Sequence, residues 1–439
     1  MKSYRYAALT NIHKIGLSVQ EAATRLHHLS FVERRLMLFC VAQLVQTPSR
    51  DLKLLLGRAQ YLAAQRCAAL RERLRELRMP KARIETCPGG ALALALDEAL
   101  YCTSSEEVVE VSLLLHDALL ECYQRHLEQT NQLADAPTCD LIKSHLPLLS
   151  EVTEAFRELP AGLGGIASSR SVTKASESEA WVQKFITAAG GLDGSQPAAD
   201  VPLSPERATT PFRISRESGR PAQTEIVWDY VKPPIEDSAD YFVYMLGIRS
   251  SEINVAEGVA IVMYETPNMP WEFYYDLSRH LWDEVRHAMM GEAAIESIYG
   301  DRSAIPMREY ERVYCMEAQP LEQYATLGIE IEGGQMRYPV GKRGEWEFCR
   351  DVAKSALMTT FQDFDWADEV LHVNLAKKQL TNWFPSGVSE LSAFAHEGGI
   401  KRAEVKRRRE PVRLSRSATE AKVSVRPVPS PAQANTQDY

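Results

Sequence analysis

Two segments of the chain carry the same pattern of acidic and imidazole side chains. The pattern is Asp-Glu-x-x-His, and its two copies comprise Asp283, Glu284 and His287 and then Asp368, Glu369 and His372. Residues three positions apart lie on one face of an α-helix, so each copy aims a carboxylate and an imidazole at one point. One copy makes half of a metal site. Two copies on two helices predict a binuclear site, provided that two further helices each add a carboxylate.

The surroundings of both copies favour a buried site over a solvated helix face. A single Glu-x-x-His is common on exposed helices and by itself indicates little. Here the motif occurs twice, and apolar side chains such as Leu281, Trp282, Val370 and Val373 flank the two copies. Carboxylates on apolar helix faces need partners, and a cation would neutralise them. His280, one turn before Glu284, is interpreted as a structural histidine that finds a hydrogen-bond partner.

The next carboxylate is sought on the helical pattern that precedes the first copy, over Asp237–Glu265. If this helix and the helix carrying Glu284 are antiparallel about a turn near Asn268, the residue level with Glu284 is Glu252. Its neighbours at helical spacing are apolar, which places it on an inward face. Glu257 is the alternative, but it lies more than one turn farther along the axis.

For the carboxylate ligand on the third helix, the sequence leaves four candidates, which are Glu317, Glu322, Glu330 and Glu332. A simple hairpin turning between Pro339 and Gly344 favours Glu317. The side-chain environment favours Glu332, because the small residues Ala325 and Gly328 on its face leave room for a cluster. Glu332 requires an irregular stretch before the last helix.

Several short motifs resemble the ferritin-like di-iron carboxylate superfamily, and in particular an uncharacterised bacterial family of ferritin-like proteins. They are Glu-x-Asn-x-Ala at 252–256, Pro-x-Glu-Phe-Tyr at 270–274, Glu-x-Arg-His at 284–287 and Tyr-Gly-Asp at 299–301. The Glu332-Gly333 pair, followed by Lys342-Arg343-Gly344, also resembles ribonucleotide reductase small subunits. The resemblance covers about Asp237–Phe384. It favours Glu252 as the first carboxylate ligand and Glu332 as the ligand on the third helix.

The resemblance and the donor set together imply a di-iron cofactor. The expected ligands are Glu252, Glu284, His287, Glu332, Glu369 and His372. Asp283 and Asp368 would each accept a hydrogen bond from a ligand histidine and fix its orientation. Carboxylates with imidazoles suit iron or manganese, so a manganese or mixed pair is left open. The expected activity is a di-iron oxidase or oxygenase that uses dioxygen and an unidentified small organic substrate. The alternative is a non-catalytic metal-binding or iron-handling protein.

The elements that must position these residues predict an all-α chain in four parts. In 1–160, apolar residues recur at helical spacing in four segments, which are Phe31–Val45, Leu52–Leu77, Val108–Leu127 and Leu141–Phe156. They predict a first helical bundle, interpreted as a degenerate ferritin-like bundle or a packing domain. Gly, Ala, Ser and Pro dominate 161–236, which predicts a linker with one helical piece at Ala180–Ala188. The metal domain is expected over 237–400. The segment 401–439 holds ten Lys/Arg and four Asp/Glu and is predicted to be a disordered basic tail.

Composition narrows the class of protein further. The 439 residues carry a formal net charge of -9, which gives no reason to expect nucleic acid. Eight cysteines are scattered along the chain without a Cys-x-x-Cys pair, which argues against a zinc ribbon or a disulfide scaffold. No apolar stretch is long enough to span a bilayer. We therefore expect a cytoplasmic protein without a membrane partner, and a homodimer is compatible with the sequence.

Overall fold

The chain is built almost entirely of helices. The computed structural model describes residues 7–9, 12–160, 176–205 and 210–425. Within these ranges, the strands are two pieces of two residues each. The all-α prediction is confirmed. None of the described helices is both long enough and apolar enough to cross a membrane.

The helices are numbered in chain order. They are α1 (Val19–Gln46), α2 (Arg50–Glu76), α3 (Lys81–Ile84), α4 (Gly90–Glu98), α5 (Ser105–Gln129), α6 (Ala136–Glu158), α7 (Glu177–Ala188), α8 (Ser238–Ser250), α9 (Ile253–Glu265), α10 (Trp271–Tyr299), α11 (Tyr310–Glu317), α12 (Pro320–Ala325), α13 (Glu332–Gln335), α14 (Lys342–Asp351), α15 (Ala356–Leu380), α16 (Val388–Lys406) and α17 (Arg416–Val425). Short 3-10 turns lie at Ala99–Tyr101 and Thr381–Trp383, and a π-helical turn lies at Thr326–Ile331.

The chain divides into two compact units that alternate along the sequence. Unit 1 comprises Met1–Ala222, Ala256–Val285 and Ala318–Tyr324, and unit 2 comprises Gln223–Val255, Arg286–Glu317 and Ala325–Tyr439. This differs from the predicted division at 160, 236 and 400. The physical reason is that α9 and the first half of α10 pack with the N-terminal helices. The side-chain amide of Gln60 donates to the Ser278 carbonyl at 2.8 Å, and Gly57 lies directly against Val285.

Four long helices of unit 1 match the four segments that the periodicity predicts, and they are α1, α2, α5 and α6. The N-terminus of α1 is fixed by a capping box between Ser18 and Glu21, which satisfies amide groups that a helix start leaves unpaired. The core contains an ionic group as well as apolar side chains. Arg66 donates to both carboxylate oxygens of Glu33 at 2.7 and 2.9 Å, and the Tyr123 hydroxyl donates to the same carboxylate at 2.7 Å.

The predicted linker is partly regular structure. Helix α7 coincides with the helical piece expected at Ala180–Ala188 and packs on α4 in unit 1. In unit 2, strand β1 (Ile226–Val227) pairs in parallel with β2 (Met307–Arg308). Residues 161–175 and 206–209 of the predicted linker lie outside the described residues.

The single helix expected over Asp237–Glu265 is interrupted after Ser250. Helix α8 ends there and α9 begins at Ile253, which leaves Ser251 and Glu252 in a turn. The Ser251 hydroxyl accepts the backbone N–H of Arg308 at 3.1 Å and therefore ties the turn to β2. The predicted turn between the next two helices lies at Asn268, which adopts a left-handed φ of 63°.

The basic segment predicted to be disordered is helical over much of its described part. Helix α16 extends to Lys406, and α17 covers Arg416–Val425. Its arginines find partners within unit 2, since Arg402 donates to the Tyr310 hydroxyl at 2.6 Å and Arg413 to Asp237 at 3.0 Å. The described part of this segment therefore contains two helical stretches, and residues 426–439 of the predicted tail lie outside the described part.

Candidate metal centre

Unit 2 brings four buried side chains together around one point. Glu252, His287, Asp365 and Glu369 each offer one ligand atom, and these atoms lie within 4.8 Å of one another. All four residues are at most 9% exposed. Three of them are predicted ligands. This group is called the carboxylate group below.

Sequence reasoning missed Asp365. It lies four residues before Glu369 on α15, so both side chains project from the same face of that helix in successive turns. The signal was present as an acidic residue one turn before the second Asp-Glu-x-x-His copy. Its position in the carboxylate group makes it a further potential oxygen ligand.

Three elements position the carboxylate group. Glu252 lies in the turn between α8 and α9, His287 lies on α10, and the two acidic residues of α15 complete it. The approach of α10 to the end of α8 requires Gly291. A Cβ atom at this position would lie 2.3 Å from the Ser250 backbone nitrogen, so only glycine permits the contact.

A second predicted pair lies in the same unit. The Glu332 Oε1 atom is 3.5 Å from His372 Nδ1, and both side chains are buried. The imidazole rings of His287 and His372 have centroids 5.9 Å apart. Five of the six predicted ligands therefore come together in unit 2, although they lie 120 positions apart at the extremes of the sequence.

Glu332 follows the irregular stretch that the sequence interpretation required. A π-helical turn over Thr326–Ile331 immediately precedes it. Within that turn, Gly328 lies so close to α15 that a Cβ atom would be 2.3 Å from the Ala376 Cβ. π-Helical turns are rare and occur often at functional sites, where they redirect side chains.

The three other candidates for the ligand on the third helix have different surroundings from those of Glu332. Glu317 is half exposed and forms a two-point ion pair with Arg408. Glu330 is also solvent-accessible and lies 3.2 Å from His396. Glu322 is buried in α12 but belongs to unit 1. Among the four candidates, the structure therefore places Glu332 beside a predicted ligand histidine.

Glu284, the sixth predicted ligand, lies on α10 one turn before His287. The two residues are three positions apart on one continuous helix and so share a face. Glu284 is buried, and its Oε1 atom lies 3.4 Å from Nε2 of His280. His280, interpreted from sequence as structural, is thus a nitrogen donor beside a predicted ligand.

Each aspartate of the repeated motif accepts a hydrogen bond from an arginine. Asp368 Oδ2 lies 3.3 Å from Nε2 of His287 and also accepts a hydrogen bond from Arg286. A contact between Asp368 and a ligand histidine was expected, and the histidine is that of the other motif copy, on α10. Asp283 accepts hydrogen bonds from Arg279 Nε on both carboxylate oxygens, at 2.9 and 2.7 Å.

Glu257, the alternative to Glu252, is engaged in unit 1. Its carboxylate forms ion pairs with Lys53 and Arg220 and accepts a hydrogen bond from the Ser218 hydroxyl at 2.6 Å. Burial would raise the pKa of Glu257, but the attraction of Arg220 and Lys53 outweighs burial and lowers the pKa to about 2. The carboxylate is therefore a charged structural partner.

Two cationic side chains contact the carboxylate group, and neither was anticipated. Arg249 Nη1 donates to both oxygens of Glu252 at 2.7 Å and also to Asp365. Lys342 Nζ lies 2.9 Å from an oxygen of Asp365 and 2.9 Å from Glu369 Oε1. These contacts compensate much of the negative charge that burial concentrates there.

Burial and neighbouring charges shift the pKa values of the residues in and around the carboxylate group in different directions. Burial would raise the pKa of Asp365, but the charges of Arg249 and Lys342 lower it to about 2. For Glu252, burial has the larger effect and raises the pKa despite Arg249. Burial would lower the pKa of Lys342, but the neighbouring carboxylates outweigh burial and the repulsion from Arg249, so the pKa is raised. Lys342 is therefore a charged ammonium.

The chain was compared with protein-family models, with curated proteins and with solved structures. None of the three comparisons finds a match. The resemblance to ferritin-like proteins therefore stands on the motifs quoted above, and the site stands on its own geometry.

Proposed function

We propose that unit 2 is the metal-binding part of a dimetal, di-iron oxidase or oxygenase that acts with dioxygen on a small organic substrate. The observation that carries the proposal is the carboxylate group itself, with four buried potential ligands whose donor atoms lie within 4.8 Å of one another. Glu332 and His372 add a carboxylate and an imidazole next to it. Such a concentration of buried acidic groups and imidazoles is costly for folding unless a cation stabilises it.

The donor set supports iron or manganese over zinc and copper. It consists of carboxylates and imidazoles, and none of the eight cysteines belongs to the group. Oxygen and nitrogen ligands of this kind suit iron and manganese. When bound there, iron would supply one-electron and dioxygen chemistry.

In this proposal the chain's own residues have distinct tasks. The predicted ligands of unit 2, which are Glu252, His287, Glu332, Glu369 and His372, would hold the ions. Asp368 orients the His287 imidazole through its Nε2 atom. Burial of these side chains excludes bulk water, which strengthens every electrostatic interaction within the group.

A non-catalytic metal-binding or iron-handling role is the second candidate. The observation favouring it is the compensation of the carboxylate group by Arg249 and Lys342, which gives the group a structural partner set without a metal. Aerobic addition of ferrous iron to purified protein distinguishes the two roles. Oxygen uptake together with an optical change supports the oxidase, whereas binding without oxygen uptake supports the second role.

The metal-binding proposal is tested by removing both imidazoles of unit 2. His287→Ala combined with His372→Ala should abolish metal retention by purified, iron-supplied protein, measured as metal equivalents per chain by elemental analysis. His396→Ala is the matched control, because this histidine is exposed and contacts Glu330. Wild-type protein and the control should retain close to two equivalents. Full retention by the double variant, with the helical circular dichroism unchanged, contradicts the proposal.

A further inference from the structure

Lys342 is a buried ammonium in contact with two of the potential metal ligands. It is 2% exposed and is the first residue of α14. Its Nζ atom contacts both oxygens of Asp365, at 2.9 and 3.1 Å, and Glu369 Oε1 at 2.9 Å. Three donors on one ammonium can satisfy both carboxylates at once.

These contacts use the oxygens that a metal ion would need. A divalent transition metal binds carboxylate oxygens at about 2.0–2.2 Å and carries two charges, whereas the ammonium carries one. The two cations cannot occupy the position between Asp365 and Glu369 together, because their mutual repulsion in a buried site is large. Arg249 adds a further fixed positive charge on the Glu252 side.

We propose that Lys342 and a metal ion compete for the carboxylates of Asp365 and Glu369. The inference rests on the proposed metal-binding function and specifies how the two ions load. The first ion binds tightly on the Glu332 and His372 side. The ion on the Asp365 side binds more weakly, because the Lys342 ammonium must withdraw before the carboxylates become available.

The position of Lys342 makes withdrawal feasible. The residue lies at the N-terminal end of α14, directly after the non-helical segment that leads to Gly341. Its ammonium is carried on a flexible four-carbon side chain, so it can move without displacing the helix. Arg249, in contrast, is fixed by contacts to Glu252 and Asp365 together.

The experiment is an anaerobic titration with manganese(II), in which electron paramagnetic resonance counts the unbound ion. The variants are Lys342→Met and Lys342→Gln, and Lys377→Met is the control because it removes an exposed lysine from α15. In wild-type protein and the control we expect two binding steps that differ in affinity by about tenfold or more. In both Lys342 variants the weaker step should strengthen by about the same factor, since the competing charge is gone.

Two results of this titration would overturn the proposed competition between Lys342 and the metal ion. Two equal and tight steps in the wild-type protein overturn the competition, and so does an unchanged weaker step in a folded Lys342 variant. The wild-type measurement requires no substitution, so the inference is tested even if the variants do not fold. Absence of manganese binding in every form contradicts the proposed function itself, whereas two equal steps contradict only the role of Lys342.

Discussion

Asp368 links the two copies of the repeated motif. Its Oδ2 atom lies 3.3 Å from Nε2 of His287, a residue of the other copy, and the same carboxylate accepts from Arg286. A carboxylate held in this way fixes the orientation and tautomer of an imidazole and leaves the opposite ring nitrogen for another partner. The Nδ1 atom of His287 lies 3.6 Å from Glu252 and 3.4 Å from Asp365. The orientation of the imidazole toward the carboxylate group thus depends on Asp368.

We expect Asp368→Asn to weaken metal binding by about tenfold to a hundredfold, because the amide no longer fixes the His287 imidazole. The measurement is the same manganese(II) titration. Asp363→Asn, an exposed position on the same helix, is the control and should bind like the wild type. Unchanged affinity in Asp368→Asn would show that the contact with His287 does not support metal binding.

At the level of residues, the sequence could identify side chains whose spacing is fixed by a helix. The two Glu-x-x-His pairs follow from helical periodicity alone. A turn near Asn268 predicts Glu252 as a ligand, and the structure has a turn at this residue. Lys342 and Arg249 could not be identified, because their place in the group depends on tertiary packing of α14 and α8, which no local pattern specifies. The sequence alone does not distinguish a buried lysine from a solvent-exposed one.

The irregular turn before Glu332 is the element on which the site depends most. It packs against α15 through Gly328, where an added Cβ atom would lie 2.3 Å from the Ala376 Cβ. Two side-chain carbons cannot approach so closely, so any larger residue must push the turn and α15 apart. Glu332 directly follows the turn, His372 lies on α15, and the two side chains are 3.5 Å apart, so the displacement would separate them.

Gly328→Ala should therefore lower the free energy of unfolding by about 1–3 kcal/mol and weaken metal binding. Thermal melting and the manganese(II) titration measure the two effects. Gly334→Ala is the matched control, since a Cβ atom there meets nothing within 4 Å. Adding Ala376→Gly to Gly328→Ala should recover part of the loss, because the clash is removed. Equal melting temperatures for both alanine variants would contradict the close packing.

At the level of elements, periodicity located the long helices but not their interruptions. The four segments predicted in the N-terminal region lie within α1, α2, α5 and α6, apart from Leu77 one residue beyond α2, because apolar spacing of 3.6 residues is a local property. The break at Ser251 and the π-helical turn are determined by contacts with β2 and with Ala376, which lie far away in sequence. The helices of the basic segment were missed because charges such as that of Arg402 are satisfied by partners distant in sequence, Tyr310 and Glu311.

At the level of the whole chain, each compact unit encloses a carboxylate held by positive charges. In unit 1 it is Glu257 with Lys53 and Arg220, and in unit 2 it is Glu311 with Arg308 and Arg402. In both cases burial would raise the pKa of the carboxyl, but the cations lower it to about 2. Burial lowers the pKa of Lys53 to about 7 despite Glu257, so the carboxylate determines the acid stability of that pair.

The units alternate along the chain, which the sequence could not show. Helix α10 contributes its first half to unit 1 and its second half to unit 2. The predicted division assumed that units follow chain order, because composition changes mark linkers but not packing partners. The buried contact of Lys53 with Glu257 joins residues 204 positions apart within unit 1. No local signal indicates a pairing at that distance.

The ionised Glu257 predicts how stability depends on acidity. Because its pKa is about 2 in the folded chain and 4.5 is the ordinary value, the folded state binds its proton less readily than the unfolded state. Its contribution is present above pH 4.5 and is lost as the pH falls toward 2. The size of this contribution is about 3 kcal/mol.

Glu257→Gln removes the titrating group and leaves Arg220 and Lys53 without their anion, which costs about 3–5 kcal/mol at neutral pH. Urea unfolding should therefore show a large difference between the variant and the wild type at pH 7 that is smaller by about 2 kcal/mol at pH 3. A difference that stays constant between these two pH values would mean that Glu257 does not titrate on folding as the ion pairs require.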